Sequence, residues 1–167
     1  MSLTATRQEG IEVYEKPLTF TTMKQVVTNI TDSTKTVTEA ESGTIFTLNR
    51  AGGITITLPA AAAGLNYEFH IGTTFTGTLT INADSASDTL QGVLTMVDTD
   101  ITVNDLDDGV ENCGFSKPAA ADHQIVMDAD GKGRLLGGMI KYVCITDSKW
   151  VVSGHTIGDG AIVTPFT

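Results

Sequence analysis

The segment around Asp128 is the first place where side chains in this sequence could do chemistry. Asp128 and Asp130 precede Gly131, which is the spacing that opens an EF-hand calcium loop. That loop needs a bidentate acidic ligand at its twelfth position, where this chain has Met139, and a helix on each side. Asp-x-Asp-Gly is also an ordinary turn, because Asp hydrogen-bonds its own backbone and Gly accepts positive φ. The sequence predicts a turn here and in the acidic stretch 104–109, with no metal and no cofactor.

Two further patterns lack the groups that their chemistry needs. Gly109 and Gly114 have the spacing of a phosphate-binding loop, but Phe115 stands where that loop needs its lysine. The three histidines lie in no signature that combines a nucleophile, a base and an orienting group. His70 falls on the polar face of a predicted strand, so we expect a surface or interface residue. The sequence therefore predicts a protein that is not an enzyme.

Composition narrows the class of protein and of partner. The chain is 41% hydrophobic and only 18% charged, which is typical of a folded protein. Its length of 167 residues is typical of one domain plus an arm, or of two small lobes. The net charge of −10 argues against a nucleic-acid partner, which requires clustered basic residues. No apolar run approaches the ~20 residues of a membrane span. Cys113 and Cys144 are predicted to be free thiols, because residues 1–30 show no signal-peptide pattern.

The strongest structural pattern runs from residue 54 to residue 72. Apolar residues alternate with Thr, Glu and His on either side of a stretch of four alanines, which predicts two strands with one buried face each. We interpret this stretch as one unit of sheet with an alanine corner, and we expect Thr55, Thr57 and Glu68 to be more exposed than the core residues of the same strands. The predicted core residues are Ile54, Ile56, Leu58, Tyr67, Phe69, Ile71, Leu79, Ile81 and Trp150.

The same alternation predicts short strands along the rest of the chain. Residues 49–53 resemble a hairpin loop and residues 111–121 a long loop. Further strands are predicted at residues 44–48, 78–81, 90–97, 101–103, 125–127, 139–145 and 150–152. No fixed-period repeat is visible. The predicted fold class is all-β, an antiparallel sandwich or barrel of short strands with an extended N-terminal arm.

The predicted arm covers residues 1–38, and the β domain covers residues 39–167. The arm contains too few apolar residues to hold a core, so its apolar side chains are candidates for contacts with a neighbouring subunit or a capsid shell. These candidates are Leu18, Phe20, Val26, Val27 and Val37. The alternative is that this segment forms an edge strand of the same domain.

Several short motifs give the chain a recognisable likeness. They are Ser42-Gly43-Thr44-Ile45-Phe46-Thr47-Leu48, Gly53-Ile54-Thr55-Ile56-Thr57-Leu58-Pro59, Gly64-Leu65-Asn66-Tyr67, Gly92 and Trp150-Val151-Val152-Ser153-Gly154. In this order they resemble a module found in virion proteins of tailed bacteriophages, and the likeness covers roughly residues 39–154.

The resemblance implies a structural protein of the virion, made in the host cytoplasm. It favours a capsid decoration (cement) protein that assembles as a homotrimer on the major capsid protein of a phage head. It also implies that the last pair of strands closes the sheet with Trp150 packed against the core. The alternative function is a receptor- or carbohydrate-binding module of a phage tail or head fibre. A depolymerase or lysin domain is disfavoured, because no catalytic pattern was found.

Overall fold

The computed structural model describes residues 25–99 and 113–167 with their side chains, and the backbone of two short strands before them. These two strands, β1 (Ala5–Gln8) and β2 (Ile11–Tyr14), form an antiparallel hairpin that belongs to neither main sheet. The remaining strands are β3 (Val27–Ile30), β4 (Thr34–Thr36), β5 (Ile45–Leu48), β6 (Ile54–Thr57), β7 (Asn66–Ile71), β8 (Leu79–Asn82), β9 (Thr89–Asp98), β10 (Cys113–Ser116), β11 (Gln124–Met127), β12 (Met139–Thr146) and β13 (Lys149–Gly158). The prediction of an all-β fold is confirmed.

Two sheets make up the body of the molecule. The large sheet has seven strands in the order β10-β9-β13-β12-β7-β5-β3, and the small sheet has four in the order β11-β8-β6-β4. From β3 to β8 the chain alternates between the sheets, and each new strand lies parallel to the strand two before it. Strands β3–β8 therefore form a coil of three turns, each of which adds one strand to each sheet.

The turns of this coil differ in length, which explains why no repeat is visible in the sequence. In the large sheet Val27 aligns with Ile45, a step of 18 residues, and Ile45 aligns with Glu68, a step of 23. The small sheet has similarly unequal steps. The strands repeat in space while the corners between them vary, so the sequence has no constant period.

The prediction of antiparallel neighbours is wrong for the coil. Residues 49–53 are not a hairpin loop, because they carry the chain from the large sheet to the small one. The alanine corner likewise joins β6 and β7, which lie in different sheets. Gly53 has φ of +95°, and a Cβ there would lie 2.5 Å from the carbonyl oxygen of Thr78, in the corner of the next turn. The glycine allows successive corners to stack, which alternation within the strands cannot reveal.

The second half of the chain completes the large sheet with both kinds of pairing. Strands β12 and β13 form the predicted hairpin at Asp147 and Ser148, and β13 lies parallel to β9 on its other side. The predicted strands at 90–97, 125–127 and 139–145 are confirmed within β9, β11 and β12. The strand predicted at 101–103 and the acidic turn at 104–109 lie outside the described residues.

Inward side chains of both sheets share one hydrophobic core, and all nine predicted core residues are buried in it. Phe69 stacks on Phe46 with ring centroids 5.3 Å apart and meets Tyr142 edge to face at 5.9 Å. Trp150 packs against the core as expected. Thr55 is exposed as predicted, while Thr57 and Glu68 are half-buried.

The second part of the predicted arm belongs to the β domain. Strand β3 pairs with β5 and strand β4 pairs with β6. Residues 27–37 therefore form edge strands of the same domain, which was the alternative prediction for this segment. Ile30 and Val37 are buried in the core. Residues 1–24, including Leu18 and Phe20, lie outside the described residues except for the backbone of the β1–β2 hairpin.

Replacing Phe69 by Ala should lower the free energy of unfolding by about 3–5 kcal/mol, because it removes a fully buried ring and leaves a cavity. Urea denaturation measures the change. The matched control is Thr55→Ala on the exposed face of β6, which should stay within about 0.5 kcal/mol. A cost below about 1 kcal/mol for Phe69→Ala would show that the strand faces are assigned backwards.

A pair of identical substitutions tests whether residues 25–38 belong to the folded domain. Val37→Ala should cost about 1.5–3 kcal/mol, because Val37 is 1% exposed in the core. Val27→Ala should change the free energy of unfolding by no more than about 0.5 kcal/mol, because its side chain faces solvent. If Val37→Ala proved neutral in urea denaturation, strand β4 would not be part of the cooperative fold.

Candidate interaction surface

The described candidate contact residues separate into exposed and buried ones. Val26 and Val27 are 63% and 61% exposed at the start of β3. Val37 is buried in the core of its own chain, so it is not available for contact with a partner. All three residues are valines in a segment of similar composition, so only their positions in the sheets decide which of them is exposed. The surface at β3 is therefore the part of the predicted contact set that the structure brings together.

Strand β3 is the outermost strand of the large sheet on one side. The backbone N–H of Ile45 donates to the carbonyl oxygen of Val26 at 2.9 Å, on the side of β3 that faces β5. Because backbone groups alternate sides along a strand, Val27 and Asn29 direct their N–H and C=O groups to the other side. No other described strand pairs there. This side of β3 presents backbone groups that pair with no other described strand, beside two exposed valines.

Strand β4 is the outermost strand of the small sheet at the same turn of the coil. The Thr55 N–H donates to the Ser33 carbonyl at 2.9 Å, and the Val37 N–H donates to the Thr57 carbonyl at 2.8 Å. By the same alternation, Thr34 and Thr36 direct their backbone groups away from β6. We call the outer sides of β3 and β4 together the coil edge. Within the described strands, both sheets end at this edge.

The opposite end of the large sheet carries a second exposed apolar group. Phe115 on β10 is 77% exposed, and its register partner on β9 is Thr95. Val93 and Val97 on β9 are also exposed on this outer face. An exposed aromatic ring on an edge strand is typical of a contact surface rather than of a solvated edge.

Sequence reasoning missed strand β10, because residues 111–121 show no clear apolar alternation. In β10 the outward positions are Cys113 and Phe115, and the inward positions are Gly114 and Ser116. A Cβ on Gly114 would lie 3.0 Å from Ile162 Cδ1, so a larger residue would force that side chain to move. The inward residues of β10 are small or polar, whereas a typical strand has large apolar residues at these positions. The alternation that would identify a strand is therefore missing from the sequence.

The centre of the outer face is polar. His70 lies on the outer face of β7, as expected, and its Nε2 contacts Glu68 Oε1. In register, His70 lies opposite Met139, which in turn lies opposite His155 on β13. Neither histidine has a serine or cysteine as a hydrogen-bond partner. Among residues 25–99 and 113–167, the structure brings together no nucleophile, base and orienting group.

The turn predicted at residues 128–133 contains a short 3-10 helix, Asp130–Lys132, and its acidic groups pair with basic ones. Lys132 Nζ lies 2.9 Å from Asp128 Oδ1, and Arg134 Nε lies 2.7 Å from Asp130 Oδ1. The hydrogen bond from Lys132 lowers the pKa of Asp128 below its usual value. In the part of the chain that the structure describes, no group of three or more His, Cys, Asp or Glu residues could hold a metal ion.

Both cysteines are free thiols, as predicted. Cys144 is buried on β12, where its Sγ–H donates to the carbonyl oxygen of Thr146 at 3.0 Å. Burial raises the pKa of the Cys144 thiol. Cys113 is exposed on β10, more than one strand away in the sheet order. The protonated, enclosed thiol of Cys144 is suited to packing rather than to nucleophilic chemistry.

Comparison with known proteins adds no family. No protein-family model, curated protein or solved structure matches this chain. No helix among the described residues is long and apolar enough to cross a membrane.

Removing divalent metal should leave the thermal midpoint unchanged, because the carboxylates of Asp128 and Asp130 already have Lys132 and Arg134 as partners. Thermal denaturation with and without EDTA checks this. A site filled at a hundred times its dissociation constant would contribute about 2.7 kcal/mol, which is readily seen as a shift. A clear fall in the midpoint with EDTA, reversed by added Ca²⁺, would contradict the turn interpretation.

Proposed function

We propose that the protein is a structural component of a tailed-bacteriophage virion, a homotrimeric capsid decoration protein that binds the major capsid protein and stabilises the head shell. The observation that carries this proposal is the coil edge, where Val26 and Val27 lie exposed beside unpaired backbone groups of β3. The virion-protein motifs of the sequence support the same class. A decoration protein needs contact surfaces, and the described residues offer these without a catalytic arrangement.

The coil edge is suited to strand addition. An extended segment that pairs with β3 would satisfy the outward N–H and C=O groups of Val27 and Asn29. The side chains of Val26 and Val27 would be buried by the same contact, at about 25 cal/mol for each Å² of apolar surface removed from water. Both effects favour association over a solvated edge. We propose that this contact joins the protein to its neighbour on the head, either another subunit or the capsid protein.

We propose a closed ring of three subunits, which would cover the same edges. Each chain has an outer edge at β3 and another at β10, at opposite ends of the large sheet. A head-to-tail contact between two different surfaces closes into a ring when the rotation allows it. The virion-protein resemblance favours three subunits. In this proposal the two sheets, which share one core, form a sandwich. The β3 edge of the large sheet in one subunit then contacts the β10 edge of the large sheet in the next.

One observation favours the second candidate, a receptor- or carbohydrate-binding module of a phage tail or head fibre. Phe115 is the most exposed aromatic ring among the described residues, and exposed rings are common where proteins bind sugars or other partners. In that case Phe115 would contact the ligand. The decoration proposal instead assigns this end of the sheet to subunit contacts.

The test combines oligomeric state with binding to undecorated phage heads. The intact protein should sediment as a trimer at micromolar concentration and bind the heads. The double variant Val26→Asp/Val27→Asp should lose one or both properties without unfolding, because two charges would be buried at the contact while the core is untouched. The control is Leu136→Asp, which changes a 57% exposed apolar residue outside both edges and should retain trimer and binding.

Two results would overturn the proposal. One is an intact protein that remains a monomer and does not bind heads. The other is a folded Val26→Asp/Val27→Asp variant that assembles and binds as well as the unaltered chain. Phe115→Ser distinguishes the second candidate: loss of adsorption to host cells with head binding unchanged would favour the receptor-binding module.

A further inference from the structure

A cavity of about 310 Å³ opens between the start of β9 and the loop that follows β10. Its walls include Thr89, Gln91 and Gly92 of β9, the loop 117–120 and Lys149 at the start of β13. This volume lies at the lower end of the range for small-molecule sites, so it is large enough for one sugar unit. The cavity lies at the β9–β10 end of the large sheet, and the coil edge lies at the opposite end.

The cavity exists because β10 stops pairing before β9 does. Ser116 is the last residue of β10 and lies opposite Leu94. Pro118 has no N–H group to continue the ladder. The chain returns to β9 only at Asp122, whose carbonyl oxygen accepts a hydrogen bond of 2.8 Å from the Leu90 N–H. Between these two points the loop stands away from β9 and leaves a gap.

Gly92 lies in this gap and contributes backbone groups to it. Because the Leu90 N–H points toward the loop, alternation along the strand directs the Gly92 N–H and C=O to the same side. No backbone hydrogen bond joins Gly92 to the loop 117–120. Gly92 has φ of +115°, and a Cβ would lie 2.0 Å from the carbonyl oxygen of Val152. The position therefore requires glycine, and its N–H has no backbone partner in the loop 117–120.

Two lysines line the cavity in a chain whose net charge is −10, and the Asp122 carboxylate beside its loop accepts a hydrogen bond of 2.7 Å from the Ala119 N–H. Lys117 and Lys149 are both exposed, and neither forms an ion pair with a residue of 25–99 or 113–167. Lys149 aligns with Thr89 on the neighbouring parallel strand, so their side chains lie side by side on the outer face. The third described lysine without an ion pair is Lys141, whose register partners are on β7 and β13.

The combination of groups indicates the class of ligand. Two ammonium groups and a backbone N–H are suited to a carboxylate, while the Thr89 hydroxyl and Gln91 amide can hydrogen-bond neutral hydroxyl groups. Pro118 and the two alanines that follow it offer an apolar wall for the C–H face of a ring. A bare inorganic anion would not use the neutral groups. An extended peptide would need a groove longer than this cavity.

We propose that this cavity binds the carboxylate-bearing sugar unit of an acidic polysaccharide, of the uronic or sialic acid type. Lys117, Lys149 and the Gly92 N–H bind the carboxylate, and Thr89 and Gln91 orient the ring through its hydroxyl groups. The site is separate from the coil edge that carries the decoration proposal, and it lies beside residues 89–92 of β9, where β10 no longer pairs. A protein on the virion surface with such a site would hold the particle on acidic glycans of a cell surface or matrix.

The test is calorimetric titration of the full-length protein with two probes, trigalacturonic acid and N-acetylneuraminic acid. A neutral galactose oligomer and inorganic phosphate serve as comparison ligands. At least one acidic sugar should bind, the neutral oligomer should bind at least ten-fold more weakly, and added salt should weaken binding. Lys117→Gln/Lys149→Gln should reduce affinity at least ten-fold with an unchanged thermal midpoint. Lys141→Gln, the matched control, should stay within two-fold.

Four outcomes would overturn this proposal without touching the decoration role. They are no binding of either acidic sugar, equal binding of acidic and neutral oligomers, phosphate binding as tight as that of the sugars, and an equal loss in Lys141→Gln. Tighter binding of a glutamate-rich peptide than of either sugar would assign the cavity to a protein partner instead. Head binding by the Lys117→Gln/Lys149→Gln variant, measured in parallel, separates the two proposals.

Discussion

Aromatic rings across the inner face of the large sheet hold the two halves of the molecule in one core. Phe46 of β5 stacks on Phe69 of β7, Phe69 meets Tyr142 of β12 edge to face, and Tyr142 does the same with Trp150 of β13. The first two rings belong to the coil and the last two to the C-terminal hairpin. Such aromatic pairs contribute about 0.5–1.5 kcal/mol each beyond the area that they bury. The outer surfaces depend on this contact, because it positions the coil edge and the β9–β10 end on one sheet.

The faces of the strands could be predicted from the sequence, and their partners could not. Alternation identifies Ile54, Ile56 and Phe69 as inward residues in any sheet, because a strand has a period of two whatever lies beside it. The direction of the neighbouring strand depends on the path of the connecting corner. Residues 49–53 have the glycines of a hairpin, yet those glycines serve the stacking of corners. The choice between these roles lies in contacts with residues more than twenty positions away.

The candidate surfaces show the same division. Val27 and Val37 lie ten residues apart in a segment of uniform composition, and one is exposed while the other is buried in the core. The difference comes from the pairing of β4 with β6. The hydrogen bond from the Val37 N–H to the Thr57 carbonyl fixes Val37 beside β6, where its side chain lies in the core. Phe115 and the cavity beside β9 were invisible for a related reason. Both arise where β10 begins and ends, and small inward residues conceal that strand in the sequence.

The position of β13 sets the order in which the molecule can be completed during synthesis. Strand β13 is made after both of its neighbours, and it lies inside the large sheet with β9 on one side and β12 on the other. A nascent chain that has not yet released residue 158 from the ribosome therefore lacks an interior strand, and β9 and β12 each have an unpaired side. Late, non-local pairing of this kind slows folding and prolongs the exposure of unpaired, aggregation-prone strand edges. Until β13 is in place these two edges can pair with other chains, so the yield of folded protein depends on how soon this strand follows β12.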